Sequence, residues 1–138
     1  MHKIVLDTNV LISSLISRSY PYLIVNKLIL DQKVSLLISN EVLKEYKEVI
    51  KRPKFLSYPN FSGFSSETLN AIEKDADHCK PNITLDFLRD LSDNRFLELA
   101  VFAEADFLIT GNSNHFPFRK FESFEIISPE KYWNTYWK

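Results

Sequence analysis

Four short apolar runs, each bounded by polar or turn residues, predict buried β-strands. The first, Ile4-Val5-Leu6, is rich in β-branched and aliphatic side chains and ends abruptly at Asp7. Such short runs are typical of strands buried on both faces of a parallel sheet. The predicted strands are residues 3–6, 34–38, 107–110 and 125–127.

The segments between the strands carry helix signals. Pro21 is tolerated in the first turn of a helix, and Ser39 is placed to cap the helix that follows it. We predict helices over residues 21–32, 40–51, 93–104, from Ser65 or Ser66 to about His78, and from Pro129 onward. The prolines and glycine within residues 51–65 predict an irregular insert.

Strands that alternate with helices indicate a parallel sheet covered on both faces. We therefore predict an α/β fold, a three-layer α/β/α sandwich around a central, mainly parallel sheet. The 138 residues suit one domain, residues 1–138, which is large enough to bury a core without disulfides or structural metals.

Composition and charge narrow the class of protein. The net charge of −1 argues against a general electrostatic nucleic-acid binder, because such domains are usually basic. It leaves room for an enzyme that contacts nucleic acid locally. Gly63 and Gly111 are the only glycines, so the glycine-rich loops that cradle nucleotide phosphates are absent.

Features that bear on location favour the cytoplasm. Cys79 is the one cysteine, so it permits no internal disulfide, and we expect it to be a part-buried apolar side chain. The N-terminal segment is too short and too acidic for a signal peptide. No run approaches the ~20 apolar residues of a membrane span. We expect a cytoplasmic protein with no membrane partner.

Polar residues follow two predicted strands at the sheet edge where ligands bind in open α/β folds. Asp7 follows the first strand, Asn112 follows the strand at 107–110, and Asp93 stands at the start of a largely apolar helix. An acid beyond a buried strand is more typical of a site than of a surface charge. For Asp93 a simple helix-capping role is equally open.

Glu45 is a further candidate, and helical geometry separates it from its acidic neighbours. At about 100° per residue, Glu45 lies at the edge of the apolar arc of its helix. Glu41 and Glu48 lie further toward solvent, where they can pair with lysines. Glu45 is therefore the acid of this helix that we expect to lean over the sheet.

Other acids are assigned outside the site. Glu98 shares a helix with Asp93 but points about 140° away from it. Asp106 begins its strand, a strand length from the site edge, and Asp86 and Asp90 are interpreted as loop charges.

Three converging carboxylates without basic partners would raise one another's pKa, and a hard divalent cation relieves that repulsion. Mg²⁺ is typically held by one or two carboxylates with waters and substrate phosphates. Such an ion activates water and neutralises charge on a phosphodiester. No Cys-rich or His-rich spacing indicates zinc. The chemistry indicated is metal-assisted hydrolysis of a phosphate ester.

In these segments the sequence resembles PIN-domain proteins, specifically the toxin-like branch of bacterial toxin–antitoxin systems, the VapC-type ribonucleases. The resemblance covers nearly the whole chain, in order and at family-like spacing. The matching segments are LDTNVL (6–11), SNEVLKEY (39–46), RPKF (52–55), LSDNRFLELA (91–100), ADFLITG (105–111) and ISP (127–129).

The resemblance implies an α/β/α sandwich whose pooled acids bind Mg²⁺ or Mn²⁺ and cleave RNA. The family's three acids correspond to Asp7, Glu45 and Asp93, and the fourth catalytic and metal-binding position corresponds to Asn112. Toxin members are typically homodimers neutralised by a small antitoxin encoded beside them. A homodimer, a cognate antitoxin and an RNA substrate are therefore the expected partners.

Asn112 departs from the family pattern. The family usually has an aspartate here and often another two residues on, where this chain has Asn112 and Asn114. An amide offers a carbonyl oxygen to a metal but no charge, so we expect weaker metal binding when substrate is absent. Asn112 is either a working ligand or the mark of a weakened enzyme.

The surroundings of the predicted site are assigned as follows. Asn9 and Thr110 are expected to orient Asp7 or a bound water. Contacts to RNA phosphates near the rim are assigned to Arg52, Lys54, Arg119 and Lys120. For His115 a packed loop residue is favoured over a proton shuttle. Trp133 is expected in the core and Trp137 at a dimer or antitoxin interface.

Two alternatives stand beside a toxin-type ribonuclease. One is a PIN-fold protein with weakened catalysis that acts as a protein- or RNA-binding module, with Asn112 reflecting the loss. The other is a receiver-like or dehalogenase-like phosphotransfer domain, which also places an aspartate after the first strand. The other site residues that such a phosphotransfer domain needs are missing, and Asn9 stands where the dehalogenase pattern needs an acid. We therefore disfavour the phosphotransfer alternative.

Overall fold

The computed structural model describes residues 1–112, 115–116 and 118–138. Within these residues the strands form one sheet in the order β3-β2-β1-β4-β6-β5. The strands are β1 (Lys3–Leu6), β2 (Ser35–Ile38), β3 (Asp77–His78), β4 (Phe107–Ile109), β5 (Lys120–Phe121) and β6 (Phe124–Ile127). All neighbours pair in parallel except β5, which pairs antiparallel with β6.

Helices follow most of the strands. They are α1 (Thr8–Ile16), α2 (Tyr20–Leu23), α3 (Asn40–Val49), α4 (Phe61–Asp75), α5 (Leu91–Phe102) and α6 (Pro129–Tyr136). A π-helical turn at Ile24–Ile29 extends α2, and a 3₁₀ turn at Pro53–Phe55 lies between α3 and α4. Helices cover both faces of the mainly parallel sheet, which confirms the predicted three-layer α/β/α architecture.

The core lies along β1. Ile4, Val5 and Leu6 are completely buried, because β1 has a parallel neighbour on each side and α5 packs on β1, β2 and β4. Burial on both faces explains why the last three residues of this strand are all apolar instead of alternating with polar ones.

The first residue after β1 is still part of the sheet. The Asp7 amide donates a hydrogen bond to the Ile109 carbonyl at 3.0 Å, and the Thr110 amide donates to the Ile127 carbonyl at 3.0 Å. The strand ends are therefore aligned, and the residues that follow them meet at one edge.

Helix α3 is joined to the same edge by a buried side chain. Tyr46 is completely buried, and its hydroxyl donates to the Leu6 carbonyl at the end of β1. At the start of the helix, the Ser39 hydroxyl accepts from the Val42 amide at 3.1 Å, which confirms the predicted cap.

Several element boundaries differ from the prediction. Helix α1 was not predicted, and α4 begins at Phe61 instead of at Ser65 or Ser66. Asn60 precedes α4 in a left-handed conformation, with φ of 61° and no side-chain cap. Strands β3 and β5 have two residues each, too few to produce a periodic pattern.

The C-terminal aromatic residues pack against the core. Trp133 does so as expected, but Trp137 is also partly buried against the core cluster, although it was predicted to lie at an interface. Tyr136, which is 43% exposed, offers more free surface than Trp137.

Across the described residues, the helices are too short or too polar for any of them to cross a membrane.

Candidate active site

Asp7 lies at the base of a cleft beyond the carboxyl ends of β1 and β4. Its side chain is almost completely buried, and its Oδ2 accepts a hydrogen bond of 2.6 Å from the Thr110 hydroxyl. Burial raises the pKa of the Asp7 carboxyl, the nearby Glu45 raises it further, and the Thr110 hydrogen bond opposes both effects. Asp7 is thus a fixed carboxylate whose charge is only partly compensated.

Asp93 faces Asp7 from the first turn of α5. Asp93 is only 6% exposed. Burial raises the pKa of its carboxyl to about 6, and the negative charges of Asp7 and Asp90 contribute to the increase, whereas His115 lowers the pKa. The helix is capped instead by Asp90, whose Oδ1 accepts from the Ser92 amide at 2.8 Å. Asp90 is an exposed residue of the loop before α5, as predicted, but it caps the helix and lines the cleft, so its assignment outside the site is wrong. Asp93 is free to point into the cleft.

Glu45 reaches the same cleft from α3 and is held by two hydroxyl groups. Its Oε2 accepts from the Thr8 hydroxyl at 2.9 Å, and its Oε1 accepts from the Ser92 hydroxyl at 3.2 Å. Glu41 and Glu48 are exposed, whereas Glu45 is half-buried. The structure therefore brings Glu45, Asp7 and Asp93 together from three different elements.

The residues after β4 complete the floor of the cleft. The Thr110 hydroxyl, which donates to Asp7, also accepts from the Asn112 amide at 3.0 Å. Asn112 and Asn9 line the cleft, and the buried Oδ1 of Asn9 has no hydrogen-bond partner among the described residues. Asn114 lies outside the described residues.

The structure brings two of the four predicted RNA-contacting cations to the rim. Arg52 and Lys54, beside the 3₁₀ turn, line the cleft and are exposed. Lys120 lies near Asp106 and Glu125, at the amino ends of β4 and β6, and Arg119 precedes it on the exposed edge. Arg119 and Lys120 are therefore placed away from the cleft.

His115 does not have the packed position favoured from the sequence. Its side chain is 46% exposed and lines the cleft, with Nδ1 at 3.4 Å from Asp93 Oδ2. The sequence signal for this placement was weak, because a histidine beside apolar residues is more often packed than functional.

Thr8 and Ser92 were also missed as site residues. Each lies next to a predicted acid in the chain, and each donates its hydroxyl to Glu45 instead of to that neighbour. Glu98 was assigned outside the site. It accepts a hydrogen bond from the Leu85 amide at 2.7 Å and forms an ion pair with Arg95 at 2.9 Å.

The cleft has a volume of about 360 Å³. The side-chain atoms in it that could bind a metal ion are mostly oxygens. Among the described residues, no group of three or more His, Cys, Asp or Glu side chains is arranged to hold a metal ion. Mg²⁺ needs only one or two carboxylates, with waters in its other positions. Asp7 and Asp93, together with the unpaired Asn9 oxygen, therefore fit a hard divalent cation in type and charge.

The chain is thus a mainly parallel α/β/α sandwich with an acidic cleft beyond its strand ends. Comparison with known proteins identifies the family that has this fold. The PIN domain family matches residues 3–114 of the chain. The sequence is also similar to an uncharacterized protein of Methanocaldococcus jannaschii, with 32% identity over 113 residues that cover 81% of this chain and 72% of that protein. The chain belongs to the PIN domain family, whose members are generally nucleases that use divalent metals.

The raised pKa of Asp93 predicts how the stability of the metal-free protein depends on pH. Because the pKa of Asp93 in the folded state, about 6, exceeds the ordinary aspartate value of 3.8, the folded state binds the proton more tightly than the unfolded state does. The corresponding stability is present below pH 4 and is lost as the pH rises through 6. Asp93→Asn should remove this loss and be more stable than the wild type at pH 8, by about 1 kcal/mol or more.

Urea denaturation in EDTA at pH 5 and pH 8 measures the effect. Glu48→Gln, which removes an exposed acid from α3, is the matched control and should follow the wild type at both pH values. An Asp93→Asn protein that tracks the wild type would contradict the electrostatic description of the cleft.

Proposed function

We propose that the chain is a Mg²⁺- or Mn²⁺-dependent endoribonuclease and the toxin component of a toxin–antitoxin pair. The observation that carries the proposal is the convergence of Asp7, Glu45 and Asp93 on one cleft, from β1, α3 and α5. Two of these carboxyls have a raised pKa, so the cleft is prepared for positive charge.

Each acid has a distinct part in the proposed reaction. Asp7 and Asp93 would hold the cation, which when bound supplies Lewis acidity for water activation and for the charge that develops on the phosphodiester. Glu45 is kept in one orientation by the Thr8 and Ser92 hydroxyls, so it is a fixed acceptor that can orient a water molecule. Thr110 holds Asp7 from behind.

The substrate is proposed to be RNA that enters past the 3₁₀ turn. Arg52 and Lys54 lie on that side of the cleft, and cationic side chains of this kind position a nucleic acid through its phosphates. Because the net charge of the chain is −1, these local cations supply the attraction that the whole protein lacks. The choice of RNA follows the resemblance of the motifs to the toxin-like branch.

Metal-dependent RNA cleavage is the direct test. The purified protein should cleave RNA in Mg²⁺ or Mn²⁺ and lose activity in excess EDTA. Asp7→Asn and Asp93→Asn should each lower the rate by about 100-fold or more, since each removes a carboxylate that would hold the cation, and the cation would stabilise the charge of the transition state. Fragments separated by gel electrophoresis report the rate.

Glu48→Gln is again the matched control, because it removes an acid from α3 outside the cleft; it should retain full activity. Cleavage that persists in EDTA, or that survives both aspartate substitutions, would identify a contaminating nuclease or a different site and would contradict the proposal.

The proposed protein partners are a second copy of the chain and a small antitoxin. Their support is the resemblance, together with apolar surface: Leu56, Tyr58 and Phe64 are 68%, 41% and 50% exposed. Apolar side chains of this size are typical of surfaces that a partner covers.

Expression in a bacterial host tests the toxin role. Growth should slow when the chain is produced alone and recover when the product of the adjacent gene is produced with it. The Asp7→Asn variant should leave growth unchanged while it still binds the partner. Equal growth inhibition by wild type and Asp7→Asn would contradict toxicity through RNA cleavage.

A binding module with weakened catalysis is the second candidate, and Asn112 is the observation that favours it. This amide lines the cleft where a carboxylate would add charge. In that case Asn112→Asp should raise cleavage from a near-zero baseline by tenfold or more, an estimate set by one added charge in a metal site. If Asn112 is a competent ligand, the same substitution should change an already active enzyme little.

A further inference from the structure

The segment at residues 51–64, which we call the cationic insert, combines positive charge with exposed aromatic surface. It contains Lys51, Arg52 and Lys54 and no acidic residue, in a chain whose net charge is −1. All three cations are exposed, and Arg52 and Lys54 line the cleft. The insert is therefore a positive surface at the rim of an acidic site.

The cationic insert is packed on its own small core. The rings of Phe55 and Phe61 stack, with centroids 5.3 Å apart and planes inclined by 18°. Both rings are buried against Ile12 of α1 and Val49 of α3, in a cluster separate from the main core. The insert is thereby fixed to two helices beside the cleft. A surface that is already ordered can bind a ligand without the entropy cost of ordering it.

Lys54 is oriented by the same cluster. Its Nζ lies 5.2 Å from the centroid of the Phe55 ring, which is a cation–π contact. Because Lys54 and Phe55 both line the cleft, this contact keeps a positive charge at the rim.

Tyr58 lies one tight turn away from the cleft. Its amide donates to the Phe55 carbonyl at 3.1 Å, the hydrogen bond of a four-residue turn whose end Cα atoms lie within about 7 Å of each other. Tyr58 is also 41% exposed. It is therefore an accessible aromatic residue directly beside the cations of the rim.

Other exposed aromatic residues have less suitable surroundings for a phosphate chain. Phe87 has charges of both signs beside it, with Asp86 and Asp90 against Arg89. Phe64 lines a separate pocket beside the end of α1. Tyr58 combines exposure with neighbouring cations and with the absence of acids throughout residues 51–64.

Resting on the proposed function, we propose that the cationic insert binds unpaired RNA next to the bond that is cut, with one base stacked on Tyr58. Proteins that bind single strands combine cations along the phosphates with aromatic side chains on which bases stack. The bases of a duplex are paired and stacked on one another, so they offer no free face to the ring. Tyr58 therefore selects single-stranded segments as the substrate.

RNA binding in EDTA tests this inference, because the proposed cleavage needs metal and binding is then measured alone. The full chain is titrated into a fluorescein-labelled single-stranded RNA, and into the same RNA annealed to its complement, with fluorescence anisotropy as the readout. Tyr58→Ala should weaken binding of the single strand by about fivefold or more, the loss expected for one stacked base. The duplex should bind more weakly, and its affinity should not depend on Tyr58.

Two ring variants serve as controls. Tyr58→Phe keeps the aromatic ring and should bind the single strand as the wild type does. Phe102→Ala removes an aromatic side chain of similar exposure, 40%, from the last residue of α5; it should also bind as the wild type does. Because Tyr58 and Phe102 are both exposed, the variants should fold normally, which thermal denaturation checks.

The salt dependence of binding separates stacking from charge. Lys54→Gln should reduce the slope of log affinity against log salt concentration by about 0.7, the contribution of one phosphate contact on a single strand. Tyr58→Ala should lower the affinity at every salt concentration and leave the slope unchanged.

The outcomes separate this inference from the proposed function. Equal single-strand binding by the wild type and Tyr58→Ala, or an equal loss in Tyr58→Ala and Tyr58→Phe, overturns the stacking role, and the ribonuclease stands if cleavage still depends on Asp7 and Asp93. A changed association state of Tyr58→Ala in size-exclusion chromatography, with unchanged RNA affinity, assigns the ring to a protein interface and also overturns it. Single-strand binding that needs the Tyr58 ring, without cleavage in Mg²⁺ or Mn²⁺, supports the inference and removes the ribonuclease.

Discussion

The hydrogen bond from the Asp7 amide to the Ile109 carbonyl places a charged residue on the last rung of a buried sheet. Much of the site depends on this contact, because it fixes the direction in which the Asp7 side chain leaves the strand. Tyr46 then binds the carbonyl of the preceding residue, so α3 is positioned relative to the same rung. Asp7 at the end of β1 and Glu45 on α3 are thus both positioned by the backbone at the end of β1.

This arrangement places stability and function in opposition. Asp7 and Asp93 are buried close to one another, and each raises the free energy of the metal-free folded state when it is charged. The surrounding core offsets that cost, with completely buried side chains at 4–6 in β1 and at Leu97, Leu99 and Ala100 in α5. Strain of this kind is typical of sites whose charge is completed by a ligand.

The sequence was a good guide to features that depend on local patterns. The strands β1, β2, β4 and β6 were predicted because each contains a short apolar run. The cap at Ser39 was predicted because a serine precedes an amphipathic helix. Glu45 was separated from Glu41 and Glu48 because helical geometry alone orders the three around one axis.

Other features depend on distant parts of the chain and could not be read in this way. The two hydroxyls on Glu45 come from Thr8 and Ser92, 37 and 47 residues away. Asp90 caps α5, and this leaves Asp93 free for the cleft, but either aspartate alone would have satisfied the local pattern. His115 looked like a packing residue beside apolar neighbours, and only the tertiary structure places it against Asp93.

The Thr110 hydroxyl donates to Asp7 and accepts from the Asn112 amide within a completely buried side chain. A completely buried group that must donate and accept at the same time favours a small hydroxyl residue at this position. Valine would match the shape and lose both bonds, and asparagine would need more volume. Serine and threonine are therefore the side chains that can keep both hydrogen bonds at position 110 while Asp7 is charged.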